Sequence, residues 1–296
     1  EEEDYQETKP DYSPPVNEQE ERKKEPSRTT TNAAGQSEAR VDKDHEPSPI
    51  KVFLASSLSS SNKDIIPDLV SKGKILLTEN ENDAGILAVC GGDAEAETGD
   101  GVLVKRTFGY LLALARGLPI VHISYFSDEP FGNATTSRHR VIGNPQCILA
   151  PQRAQEHHLA RKPALLRDYA LFLCGEFNVL PQYRTRRGGK ASHLDDVYSK
   201  TRLKRLLAIC GASTPSSLDH LPQQIGDLSK VAVLIRPNPH ARDWRTAQRT
   251  LDNHKRLSNC DHPPPVICGN WLLDCISNFE ERDFEGYTKK NFAKSR

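Results

Sequence analysis

The sequence has no methionine, two tryptophans and only 6% aromatic residues among its 296 positions. Lacking methionine even at position 1, it reads as a fragment of something longer. The sequence shows neither an apolar run long enough to cross a bilayer nor a secretory signal, and no membrane partner is expected. A glycine-rich phosphate loop is also missing. Gly91-Gly92 and Gly99-Asp100-Gly101 flank an acidic stretch with no Lys-Ser or Lys-Thr behind it. There is no Gly-x-Ser-x-Gly elbow and no convergent acid and base, so no catalytic residues and no cofactor are expected. Seven cysteines (Cys90, Cys147, Cys174, Cys210, Cys260, Cys268, Cys275) make an odd number without framework spacing, mostly inside apolar runs. They read as reduced, buried thiols of a cytosolic or nuclear protein. Cys260, His262 and Cys268 lack a fourth ligand and paired close spacing, so no metal is expected either.

A second absence is local. Residues 1–49 contain no Leu, Ile, Phe or Trp and carry 14 acidic against 7 basic residues. Such a stretch buries too little apolar surface to offset the entropy of ordering it, and a disordered acidic leader is expected. Of 40 acidic and 40 basic residues in the chain, 26 and 33 then remain in 50–296, a net charge of +7 hidden within an overall zero. The compact part should favour anionic partners.

What is present is a repeated plan. Apolar runs of strand length occur at 50–55, 74–78, 85–90 and 119–123, with helical spacing at 63–70 and 105–116 and a loop at 91–101. Pro67 suits the first turn of a short helix, and Gly117 a helix stop. The second segment has strands at 169–174, 230–235 and 265–268, and helices around 197–210, around 243–256 and from Asn270. Short apolar strands alternating with helical crossovers predict parallel sheets covered by helices on both faces. Pro119-Ile-Val-His-Ile-Ser-Tyr125 and Pro265-Val-Ile-Cys-Gly-Asn-Trp271 echo each other, a large aromatic standing six residues after the proline in both. The fold class is therefore α/β with two copies of one unit. The organisation expected is a leader at 1–49, a first repeat at 50–130, a polar linker at 131–166 packing against both repeats, a second repeat at 167–290 and a tail at 291–296. A basic loop insertion at 183–196 carries Arg184, Arg186, Arg187 and Lys190; such charge runs are most often solvated, and its other reading is a contact with nucleic acid or a nucleosome.

The pattern resembles tandem BRCT (breast-cancer C-terminal) repeats. Trp271-Leu-Leu-Asp-Cys-Ile276 resembles the hallmark helix of that family, Leu207-Ala-Ile-Cys-Gly-Ala-Ser213 the end of its first helix, and Cys174-Gly-Glu-Phe-Asn-Val-Leu-Pro181 the segment after the first strand of a second repeat. Arg106-Thr-Phe-Gly-Tyr-Leu-Leu112 followed by Gly117-Leu-Pro119 resembles the second helix and fourth strand of phosphate-binding repeats, and Tyr125 stands where the tryptophan would be. The linker at 141–151 is most similar to that of checkpoint mediators. The resemblance covers 50–290 and implies a small four-stranded parallel sheet in each repeat, a helical interface that creates one groove, and recognition of phosphoserine or phosphothreonine without catalysis.

By the same resemblance, Ser56, Ser57, Lys105 and Arg106 would bind phosphate through hydroxyls, backbone donors, a helix N-terminus and cations. Leu111, Leu180 and Leu273 would line a specificity pocket between the repeats, their bland reading being core packing. The family's phosphate lysine falls on Gly109, which leaves two alternatives: Lys105 substitutes from one turn earlier, or the pocket is weakened. The functional expectation is a nuclear phosphopeptide-binding scaffold of the DNA-damage checkpoint or repair response, reading a phosphorylated protein or histone tail. A phosphate-independent association or homodimerisation module is the alternative, with direct nucleic-acid contact secondary and a nucleotide-using enzyme behind it.

Overall fold

The computed structural model describes residues 48–80, 83, 85–92, 94, 96–98, 100–127, 137–177, 199–221, 230–254 and 263–292. The leader, Leu180 and the basic residues Arg184, Arg186, Arg187 and Lys190 lie outside them.

Strand β1 (Ile50–Leu54) is carried by the strand-forming residues Ile50, Val52 and Phe53. It leads through a ten-residue connection with a 3-10 turn at Ser60–Asn62 to α1 (Ile65–Ser71), in which Pro67 sits in the first turn where its missing N–H costs nothing. β2 (Ile75–Leu77), β3 (Leu87–Cys90) and, after α2 (Phe108–Ala115), β6 (Ile120–His122) complete a four-stranded sheet in the order β2-β1-β3-β6. All three pairings are parallel. Period-two alternation divides its side chains between two layers. Leu87 and Val89 of β3 face the core that contains Ile66 and Leu69 of α1, while Ala88 and Cys90 face the core of α2.

The second unit repeats this layout. β8 (Ala170–Leu173), β9 (Val231–Ile235) and β10 (Val266–Cys268) form a parallel sheet in the order β10-β9-β8. The place beside β8 that β2 occupies beside β1 is taken by Ser213 alone, bridged in parallel to Ala170. The second sheet is thus three strands and one bridge. In β9, Ala232 and Leu234 face α4 (Lys200–Ile209) and α6 (Asn270–Asn278), whereas Val231, Val233 and Ile235 face α5 (Ala241–Asp252).

α2 packs against α4 and α6, joining the units. One apolar core runs without interruption from Ala88 and Ile120 of the first sheet through Leu111 and Leu114 to Leu203, Leu207, Leu234 and Trp271. Residues Pro47–Arg296 form one compact unit. Among the described residues no helix is long and apolar enough to cross a membrane.

Two segments depart from the sequence reading. The loop expected at 91–101 contains β4 (Ala96–Thr98), which pairs antiparallel with β5 (Gly101–Leu103), and β5 pairs in parallel with β7 (Val141–Gly143) from the linker. Three-residue strands are too short to show a period, and their pairing comes from a partner 40 residues away. The linker also holds α3 (Ala150–Leu159), which buries only Ala150, Pro151 and Ala154. Small residues bury little area, so its polar surface hides it. It packs against α2 and α6; Arg153 Nη1 donates to the Asn278 carbonyl at 3.1 Å, and His158 Nε2 lies 3.2 Å from the Ala115 carbonyl.

Candidate functional site

The carboxyl end of β1 and the start of α2 meet at Ala55. Thr107, in extended conformation, caps α2: its Oγ1 accepts from Tyr110 N–H at 3.1 Å and donates to the Ala55 carbonyl at 2.6 Å. Helix α2 therefore begins at Phe108, later than the 105 expected, and Lys105 and Arg106 stand in the approach to the cap. Thr107 is a positioning residue that sequence reasoning passed over, although a threonine directly before an apolar helical run is a recognised start signal.

Past Ala55 the chain turns over the loop that follows β3. Ser56 Oγ accepts from the N–H groups of Gly91 at 2.8 Å and Gly92 at 3.3 Å, and Ser59 N–H donates to the Gly91 carbonyl at 2.8 Å. Because Ser56 uses its lone pairs on the backbone, its own proton can be donated outward. Ser57 and Lys105 are exposed. Beneath Gly92 a polar chain runs inward: His122 Nε2 lies 3.0 Å from the Gly92 carbonyl, Ser124 Oγ sits 2.9 Å from both His122 Nδ1 and His139 Nδ1, and Arg138 Nε donates to His139 Nε2 at 3.0 Å. Both histidines are buried. The isolated histidines and serine of the sequence gave no sign of this network, since its members come from separate elements.

Arg106 crosses between the repeats. Its Nη1 donates to Asp274 Oδ1 at 2.7 Å and lies 3.4 Å from Ser277 Oγ, both on α6, and Tyr287 Oη donates to the other Asp274 oxygen at 3.0 Å. Asp274 lies inside the Trp271 motif, and nothing in sequence marked it as the partner of Arg106. Arg202 of α4 lies over the Phe108 ring at 4.9 Å, adding a cation beside the same helix start.

Gly109 has a steric cause. A Cβ there would stand 2.7 Å from the Ala55 carbonyl carbon and 2.8 Å from its Cα, and closer still to its oxygen. The helix approaches the end of β1 so tightly that any side chain at the position, lysine included, would force the two backbones apart.

Leu111 and Leu273 are fully buried in the core shared by the two units, presenting no side-chain surface to solvent. Tyr125 is buried in the 3-10 turn after β6 and meets Phe126 edge-on at 5.2 Å. Trp271 is fully buried, rests 5.2 Å from the Tyr169 ring and 5.0 Å from Phe284, and donates from Nε1 to the Arg282 carbonyl at 2.6 Å. Burial pushes the Cys90 and Cys210 thiols up to about 12 and the Cys268 thiol to about 11. These are inert core thiols at neutral pH. Among the described residues no three His, Cys, Asp or Glu side chains converge as metal ligands. Cys260 and His262 lie outside those residues.

No protein-family model matches the chain. It is 22% identical over 275 residues to the breast cancer type 1 susceptibility protein homolog of Mus musculus, an alignment covering 87% of this chain and 12% of the mouse protein. Among solved structures it is similar to the BRCT5-BRCT6 domains of S. pombe Brc1, at 15% identity, 82% coverage of this chain, 99% of that chain and a TM-score of 0.47. The S. pombe Nbs1-Ctp1 complex matches at 12% identity, 83% of this chain, 59% of that chain and a TM-score of 0.36. Two parallel-sheet units of one layout, a helical interface between them, a buried indole in α6 after the last strand and the alignment along most of the sequence together give this chain the fold of tandem BRCT repeats.

Proposed function

We propose that the chain is a phosphopeptide-binding scaffold of the DNA-damage checkpoint or repair response, acting in the nucleus by binding a phosphorylated protein or histone tail and not by catalysis. The observation that carries the reading is the position of Arg106. It stands immediately before the cap of α2, is aimed by Asp274 of the other repeat, and lies beside the turn where Ser56 keeps a hydroxyl proton to donate. A dianion there would meet that hydroxyl, the first-turn N–H groups of α2 and the charges of Arg106, Lys105 and Arg202. Similarity to the susceptibility protein homolog supports a role in protein interaction, and the chain spans only 12% of that relative's length.

Gly109 favours a second reading, a phosphate-independent docking or homodimerisation module, because it supplies no cation and a side chain there would push against the Ala55 backbone. Fluorescence polarisation of the whole chain against a phosphoserine peptide library and its unphosphorylated twin separates the two. Phosphate-dependent binding that Arg106→Ala and Ser56→Ala each weaken about tenfold or more is expected. No phosphate preference across the library would leave the docking module.

A further inference from the structure

A second surface lies on the face of the second sheet that α5 covers. Between α5 and the short helix α7 (Lys289–Phe292) runs an open groove of about 470 Å³. Arg245 and Arg249, one turn apart and so on one face of α5, form one wall, and Lys289 and Lys290 the other. All four are exposed. Nearby cations find partners: Arg242 reaches Asp243 at 3.9 Å, Arg282 reaches Glu280 at 3.1 Å and Lys230 reaches Asp168 and Glu281 at 3.5 Å. The four groove cations have no ion pair among the described residues. Like charges facing one another unpaired oppose folding, and an anion between them would turn that repulsion into attraction.

The floor says which anion. Trp244, 6% exposed and packed on Phe292 at 6.2 Å, lies there with Pro265 and Val266, so the base of the groove is apolar while its rims are cationic. Asp252, hydrogen-bonded by Gln248 at 2.9 Å, adds one carboxylate to the lining. A continuous phosphodiester backbone would meet that carboxylate and gain nothing from an apolar floor. A peptide alternates the two chemistries: an aliphatic side chain fills the floor while Asp or Glu residues on either side reach the rims. From this arrangement we infer that the groove between α5 and α7 is a docking site for an acidic peptide segment with an apolar anchor residue. It is separate from the phosphate site and independent of the function proposed for it.

The test uses the whole chain and a fluorescein-labelled peptide of Asp and Glu flanking central leucines, with its Asn/Gln counterpart and a duplex DNA beside it. R245E/R249E and K289E/K290E should each weaken the acidic peptide on the order of tenfold, R106A should leave it unchanged, and the neutral peptide should not bind. Thermal melting checks that the reversals fold, and R245Q/R249Q serves where they do not. Binding indifferent to the reversals, binding lost in R106A instead, equal binding of the neutral peptide, or displacement of the peptide by duplex DNA would each overturn the inference.

Discussion

At Gly109 two contributions to the stability of α2 oppose each other. Alanine in a helix interior is favoured over glycine by about 1 kcal/mol. Yet a Cβ would stand 2.7 Å from the Ala55 carbonyl carbon, and neither partner is the tip of a flexible side chain that could swing away. Overpacking against backbone costs about 1–3 kcal/mol, so Gly109→Ala should destabilise the protein, read as a lower urea midpoint at unchanged slope. A more stable variant would show that α2 stands off from β1. The same residue illustrates what a sequence hides. Glycine there reads as a missing lysine, whereas in the fold it is the residue that lets the helix cap reach Ala55. Thr107 was equally legible as a cap and equally silent about Ala55, because its second bond spans 52 positions.

Between elements, the Arg106–Asp274 pair ties the start of α2 to α6. With side chains 22% and 32% exposed it is neither fully screened nor fully desolvated. A double-mutant cycle of Arg106→Ala and Asp274→Ala, followed by chemical denaturation, should give a coupling on the order of 1 kcal/mol. A value near zero would mean that apolar packing alone sets the relation of the helices. Strands and helices with long apolar patterns were legible in the sequence, from Ile50–Leu54 to Asn270–Asn278. The hairpin of β4 and β5 and helix α3 were not. They carry few large apolar residues, and what holds them is contact with β7, α2 and α6, which no local window contains.

For the whole molecule, the core that continues across α2 makes the repeats one cooperative structure. Residues 47–296 should unfold in a single calorimetric transition with matching van't Hoff and measured enthalpies, while 50–130 alone, left with Leu111, Leu112 and Leu114 uncovered, should not melt cooperatively. Two separated transitions would refute a shared core. Alkali should act on the same core. Cys90 and Cys210 rise from 9.0 to about 12 and Cys268 to about 11 in the folded state. Above pH 9 the unfolded chain therefore releases protons that the folded chain retains. Their stabilising contribution is complete below pH 9 and is lost as the pH climbs toward 11 to 12, so urea midpoints should fall steadily from pH 9 upward. Midpoints constant to pH 11 would mean that these thiols are open to water.

Strand and helix periods, the echo of Pro119–Tyr125 in Pro265–Trp271 and the Trp271 motif were enough to determine an α/β chain of two like units, because burial in a sheet or on a helix face imposes a short repeat that survives in the letters. Which charges meet was decided only in three dimensions. Arg106 finds Asp274 168 positions away, Ser56 binds the amides of Gly91 and Gly92, and the cations of α5 face those of α7, since chain folding brings together residues whose separation in sequence carries no period to read.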